Sequence, residues 1–205
     1  LEHDLKKIGF FGGSFDPIHL GHLNLAIQIL EAHNLDQIFF CPTSQSPHKK
    51  ETPPLASKEQ RRAMVVAAIA PLPKFTFLDM EIQRADPNYT IDSIRKLMET
   101  DGKKQYHLIL GEDSLKEFHK WKEVEELVVL APPLVGTRGE NSGDLPKTLP
   151  KSVLTAVKKG YTKISNMEIS STEIRSRLQL GLYCGHLLPA KVGEYINQNQ
   201  LYTDK

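Results

Sequence analysis

"GFFGGSFDPIHLGHLNLA", Gly9 to Ala26, places glycines, an Asp-Pro pair and two histidines where an apolar run gives way to helical spacing. Lys7 to Phe11 is β-prone and reads as a first strand stopped by Gly12-Gly13. Past Pro17, the residues Leu20, Leu23, Ala26, Ile27 and Leu30 recur at helical spacing, with Asn34 as the stop. Glycines directly after a strand let another molecule approach the backbone. The helix start adds free N–H groups and a positive dipole end, both favourable to an anion. His19 and His22, three apart, share one face of the first turn. Two imidazole donors there suit phosphate oxygens that gain charge during a reaction.

The stretch contains neither G-x-x-x-x-G-K-[ST] nor G-x-G-x-x-G, so the P-loop and dinucleotide fingerprints are excluded. The residues alone leave a structural turn and an anion site both open. A metal pair also stays open, with Asp16 as the one local third ligand.

Working outward, "QIFFCP" (Gln37 to Pro42) reads as a second, buried strand, and Thr43 to Pro54 as a polar, proline-punctuated loop. Ser57 opens a helix through Ala70, with Gln60 three residues on as its capping-box partner. "KFTFLDMEI" (Lys74 to Ile82) predicts a strand, Tyr89-Thr90 a helix running to Thr100, and "YHLILG" (Tyr106 to Gly111) a central strand. A helix around Glu123 to Leu130, a strand at Leu134-Val135 and a loop from Arg138 to Pro150 follow. A short strand near Thr162 to Ile164 leads to helices at about Ser171 to Leu180 and Pro189 to Asn199. Strands alternating with helices predict an α/β, Rossmann-like, doubly wound and mostly parallel sheet covered on both faces. We expect a single domain over residues 1–205 with a small C-terminal helical part from about residue 169. In such sheets ligands sit beyond the carboxyl ends of the strands, where the opening stretch lies.

The bulk numbers bound the function. A chain of 205 residues with 40% hydrophobic and 25% charged residues has the make-up of one globular domain. A formal charge of +1 and no aromatic-basic interleaving argue against nucleic-acid binding. No apolar run approaches the about 20 residues of a membrane helix, and "LEHDLKK" is too charged for a secretory leader. Cys41 and Cys184, far apart, suit free thiols in a cytoplasmic protein.

Near the C-terminus, "ISSTEIR" (Ile169 to Arg175) sets three hydroxyls ahead of an apolar-periodic run, with Glu173 three after Ser170 in a capping-box pattern. Arg175 adds a planar donor fork suited to phosphate. Alone this reads as a well-capped helix. Together, "GGSFDPIHLGH" and "ISSTEIR" resemble the two signature motifs of the nucleotidyltransferase superfamily that transfers adenylyl or cytidylyl groups. Four further segments are similar to bacterial nicotinate-nucleotide adenylyltransferases: "CPTSQSPHKK", "DMEIQRADPNYTIDSI", "ILGEDSLKEFHKW" and "GLYCGHLLPAKVGEYINQNQLY". The resemblance spans Lys7 to Tyr202.

That resemblance implies that Gly13, Ser14, Phe15, His19, His22, Gly111 and Asp113 line the nucleotide side. It implies that Ser171, Thr172 and Arg175 hold the outer phosphates of ATP, and that His19, His22 and Arg175 are the catalytic group. Lys49, Thr90, Asp113, Trp121 and Lys122 would face nicotinate mononucleotide, with Trp121 stacking on the pyridine ring. The implied chemistry makes deamido-NAD and pyrophosphate for NAD biosynthesis, with Mg²⁺ accompanying ATP, no resident metal site, and a homo-oligomer left open. Asp16 serves either the cation through water or the turn. The sequence departs from the family at Ser46-Pro47, where two prolines are common, and at Arg138-Gly139, where Arg-Pro-Gly is usual. The alternatives are a sister transferase for nicotinamide mononucleotide or pantetheine phosphate, and a non-catalytic nucleotide sensor.

Overall fold

The computed structural model describes residues 5–45, 53–84, 88–137, 149–165 and 167–203. Among them are strands β1 (Lys6–Gly13), β2 (Gln37–Pro42), β3 (Phe75–Phe77), β4 (Lys104–Gly111), β5 (Pro133–Thr137) and β6 (Tyr161–Lys163). They hydrogen-bond in the order β3-β2-β1-β4-β5-β6, the doubly wound order in which strand succession reverses at the first strand. The helices are α1 (Leu20–Ala32), α2 (Lys58–Ile69), α3 (Thr90–Thr100), α4 (Glu112–Leu115), α5 (Val124–Leu130), α6 (Lys151–Lys159), α7 (Ser171–Gln179) and α8 (Ala190–Gln198).

The chain groups into two compact units of non-contiguous segments. The first comprises Leu1–Gly12, Leu25–Phe39 and Tyr89–Asn166; the second comprises Gly13–Asn24, Phe40–Asn88 and Met167–Lys205. In the first unit, β1, β4, β5 and β6 run parallel, with Ile8 opposite Tyr106, Leu108 opposite Pro133 and Val135 opposite Tyr161. Leu108, Ile109 and Leu110 are all buried, the continuous apolar run expected of a parallel strand covered on both faces. Gly160 has to be glycine: a Cβ there would stand 1.7 Å from the Pro133 carbonyl oxygen. In the second unit, α2 starts with the full reciprocal capping box of Ser57 and Gln60 and packs its buried face, Met64, Val65, Ala68 and Ile69, against α8 and β3.

Three expectations need correction. The strand read over Lys74 to Ile82 is only Phe75–Phe77, because the Leu78 N–H reaches the Phe40 carbonyl and residues 80–83 turn back on themselves. The helix α6 lies where none was foreseen; it is short, buries only Val153 and Val157, and follows a Gly- and Pro-rich stretch that masks its period. The strand β1 also continues through both glycines to Gly13. The loops read over Thr43 to Pro54 and Arg138 to Pro150 lie largely outside the described residues.

Candidate active site

In the second unit, β1 ends at Gly13 and the chain turns through Ser14–Ile18 before α1 begins. Phe15 holds a left-handed backbone (φ 46) with its ring buried, edge-on to the His22 imidazole at 5.1 Å and tilted on Phe40 at 5.8 Å. That ring lies over Gly13, where a Cβ would meet it at 3.2 Å. Asp16 is 5% exposed, and its carboxylate accepts from the N–H groups of Leu55 (2.8 Å) and Ala56 (3.1 Å) and from the Tyr202 hydroxyl (2.7 Å). These bonds tie the turn that carries Asp16 to Leu55, Ala56 and Tyr202. Burial and the adjacent Asp16 carboxylate push the Tyr202 phenol far above its usual range, so it stays a donor.

His19 and His22 stack with ring centroids 3.7 Å apart and planes 26° from parallel. The His19 backbone N–H donates to His22 Nδ1 at 3.2 Å, which leaves the proton of a neutral His22 on Nε2. His19 is 5% exposed, and desolvation lowers its pKa to about 4, so it is uncharged at pH 7. Its Nδ1 has no partner among the described residues. Gly21 makes room for the His19 ring, since a Cβ would come within 3.1 Å of it. The Leu20 N–H donates to the Leu187 carbonyl at 3.0 Å, so one of the helix-start donors expected for an anion is already occupied.

The second motif starts α7. Ser170 Oγ accepts from the Glu173 N–H at 3.1 Å, as the capping pattern predicts. Ser171 Oγ donates to the Pro17 carbonyl at 2.9 Å, and Arg175 Nη1 donates to the Asp16 carbonyl at 2.7 Å. Arg175 Nη2 also donates to Thr172 Oγ1 at 3.3 Å, and Nη1 stands 3.9 Å from the Asp16 carboxylate. Two motifs more than 150 residues apart are thereby clipped together, the second holding the turn of the first.

The remaining candidates belong to the first unit. Gly111 is the residue before α4, and Asp113, exposed in its first turn, pairs with Lys116 at 3.6 Å. Thr90 is the first residue of α3 and is half-buried. Trp121 is half-buried and edge-on to Phe118, with ring centroids 5.1 Å apart. Lys122 Nζ contacts both Asp92 carboxylate oxygens (3.0 and 3.1 Å) and lies 5.0 Å from the centre of the Tyr89 ring. Lys49 and Arg138 lie outside the described residues. Among the described residues no group of three His, Cys, Asp or Glu side chains could hold a metal ion, and no helix is long and apolar enough to cross a membrane. Sequence reasoning missed Arg61, Asn88 and Tyr202. Each is buried and polar, yet each lies far along the chain from the turn or corner it holds, and no local spacing shows that contact.

A family model described as cytidylyltransferase-like matches residues 10–177. A protein of Synechococcus sp. (strain JA-3-3Ab) named "Probable nicotinate-nucleotide adenylyltransferase" is 38% identical over 204 residues, covering 97% of this chain and 96% of its own. One of the same name from Dictyoglomus thermophilum is 37% identical over 198 residues, covering 96% of this chain and 99% of its own. Among solved structures, Plasmodium falciparum nicotinic acid mononucleotide adenylyltransferase complexed with NaAD superposes with a TM-score of 0.72 at 22% identity, over 96% of this chain and 97% of that one. At that identity the superposition speaks for the fold.

Proposed function

The chain belongs to the cytidylyltransferase-like family and, with its curated relatives, to the nicotinate-nucleotide adenylyltransferases, and from that premise we propose its reaction: transfer of the adenylyl group of ATP to nicotinate mononucleotide. A phosphate oxygen of the mononucleotide attacks the α-phosphorus in line. The bond from that phosphorus to the bridging oxygen breaks, pyrophosphate leaves with the electron pair, and deamido-NAD forms. An ionised phosphate already carries the attacking pair, so no side chain has to remove a proton; the protein positions the reactants and stabilises charge.

In this reading His19, uncharged, and His22, through Nε2–H, donate toward the phosphates. Gly13, Ser14 and Phe15, with Gly111 and Asp113, receive the nucleotide, and Ser171, Thr172 and Arg175 receive the outer phosphates. Thr90, Trp121 and the backbone N–H of Lys122 receive the pyridine carboxylate and ring, and Lys49 faces the mononucleotide. The Lys122 amine is already engaged by Asp92, which leaves its backbone as the donor. Mg²⁺ belongs to the reading as part of the Mg·ATP substrate, in a cytoplasmic enzyme.

The observation that carries the proposal is the stacked histidine pair, mounted on a turn that the second motif clamps through Ser171 and Arg175. The test is a paired assay of pyrophosphate release with Mg·ATP and either nicotinate or nicotinamide mononucleotide. Faster release with the nicotinate form is expected; equal or reversed rates reject the substrate assignment.

A further inference from the structure

Arg61 lies on the packed face of α2 beside Met64 and Val65, yet it carries a charge and is only 1% exposed. No carboxylate among the described residues reaches ion-pair distance of it; its partners are backbone carbonyls. Nη1 donates to the Ser14 oxygen at 2.7 Å and to the Thr43 oxygen at 2.7 Å, and Nη2 donates to the Ser44 oxygen at 3.3 Å. Burying a cation is costly even with the Asp16 and Glu59 carboxylates acting on it at longer range, and a fold that needed only bulk here would use an apolar side chain. What a guanidinium offers is a planar fork that reaches several acceptors in fixed directions.

Those acceptors belong to two different segments. Ser14 is in the turn between Gly13 and the histidine pair, and Thr43 and Ser44 are the first residues beyond β2. Apart from Arg61, the Thr43 N–H also joins these segments by donating to the Gly13 carbonyl at 2.9 Å. A second buried donor holds the Thr43–Ser44 corner from its other side. Asn88 Nδ2 reaches Thr43 Oγ1 (3.3 Å), Ser44 Oγ (3.0 Å) and the Glu81 carbonyl (3.0 Å).

We propose that Arg61 is a positioning residue for adenylyl transfer, its guanidinium fixing the Ser14 turn, and with it the histidine pair that follows, against the Thr43–Ser44 corner. The inference rests on the reaction proposed above, in which that pair stabilises charge on the transferring phosphate. A residue that sets the histidine turn governs the step in which that charge builds, and matters less for the binding of either substrate alone.

The experiment uses the full chain with Arg61→Lys, which keeps the charge and loses the fork. Calorimetric titration with ATP alone and with nicotinate mononucleotide alone is compared with kcat from pyrophosphate release, well below the variant's Tm. The expected split is a fall in kcat of about 10- to 100-fold with each Kd held within about 3-fold of wild type. A folded variant with near-wild-type kcat overturns the proposal, as does a loss of affinity that matches the loss of rate. Should Arg61→Lys fail to fold, Asn88→Ala decides: the same split at smaller amplitude supports the proposal, and unchanged kcat overturns it. Wild-type protein run alongside separates the two ideas, since a wild type inactive on this substrate pair defeats the proposed reaction, whereas an active one leaves only Arg61 in question.

Discussion

Arg61 and Arg95 look alike on paper: each sits in a helix with an acid two or three residues before it, Glu59 and Asp92 respectively. In the fold they are opposites. Arg95 on α3 reaches Asp92 (3.8 Å), Glu123 and Glu126 (2.6 Å), and every member of that cluster is about a third or more exposed. Arg61 on α2 is in ion-pair contact with no carboxylate among the described residues, feels Asp16 only at longer range, and holds three backbone carbonyls. Coulomb attraction is strong in the drawing of Arg95 and weak in water, where solvent and salt screen it. The Arg61 bonds lie where water does not reach the guanidinium, and their loss strands the acceptors with nothing to take its place. The polar groups on which this fold depends are the ones without solvent, and Asp16 belongs with Arg61 in that class.

The sharpest test of this contrast removes Asp16. Asp16→Ala strands two backbone N–H groups and the Tyr202 hydroxyl in a buried corner beside Arg175. We expect a loss of roughly 3–5 kcal/mol in urea unfolding, the scale for breaking a buried charged network by one partner. A loss below about 1 kcal/mol, the range of exposed pairs, would place Asp16 with the surface cluster and break the comparison.

His19 gives a test of intermediate size that leaves the Asp16 and Arg61 contacts in place. Its pKa falls from 6.5 unfolded to about 4 folded, because burial penalises the imidazolium. Between those values the unfolded chain binds more protons, so stability rises with pH there. The contribution is fully present above pH 6.5 and is lost as pH falls through about 4. Over that window it amounts to roughly 3 kcal/mol. Unfolding free energies measured from pH 7 down to 4.5 should fall more steeply in wild type than in His19→Asn. Parallel curves would mean that the ring is solvated.

How much of this was visible in the letters depends on whether the interaction is local. The capping box of Ser57 and Gln60 and the span of β2 were readable, because both lie within a few consecutive residues. The Ser170 cap was likewise readable three residues ahead. What the second motif does to the first was not: Ser171 to Pro17 and Arg175 to Asp16 are contacts across more than 150 residues, which spacing rules cannot see. Tyr202 is still farther from Asp16 and read only as part of a terminal pattern. Arg61 was hidden differently, since a charge on an amphipathic helix reads as its solvated face. Residues in the first unit, such as Thr90 at the head of α3, were placed on the right elements, yet nothing local distinguishes Trp121 as a platform from Trp121 as a partner of Phe118.

The smallest effect is expected at Arg95, and its smallness is informative. The guanidinium bonds to Glu126 and Glu123 raise its pKa above the already high value for arginine, yet the group was charged at every working pH beforehand, so the shift alters no protonation state that unfolding can read. Desolvation is slight because the cluster lies at the surface, and the long side chains give up rotamer freedom to stay paired. Arg95→Ala should leave the urea midpoint indistinguishable from wild type in 0.5 M salt, with any deficit confined to low ionic strength. A deficit that persists undiminished in salt and approaches that of Asp16→Ala would show that the α3–α5 contact carries more than screened charge. Exposure would then no longer separate the two arginines.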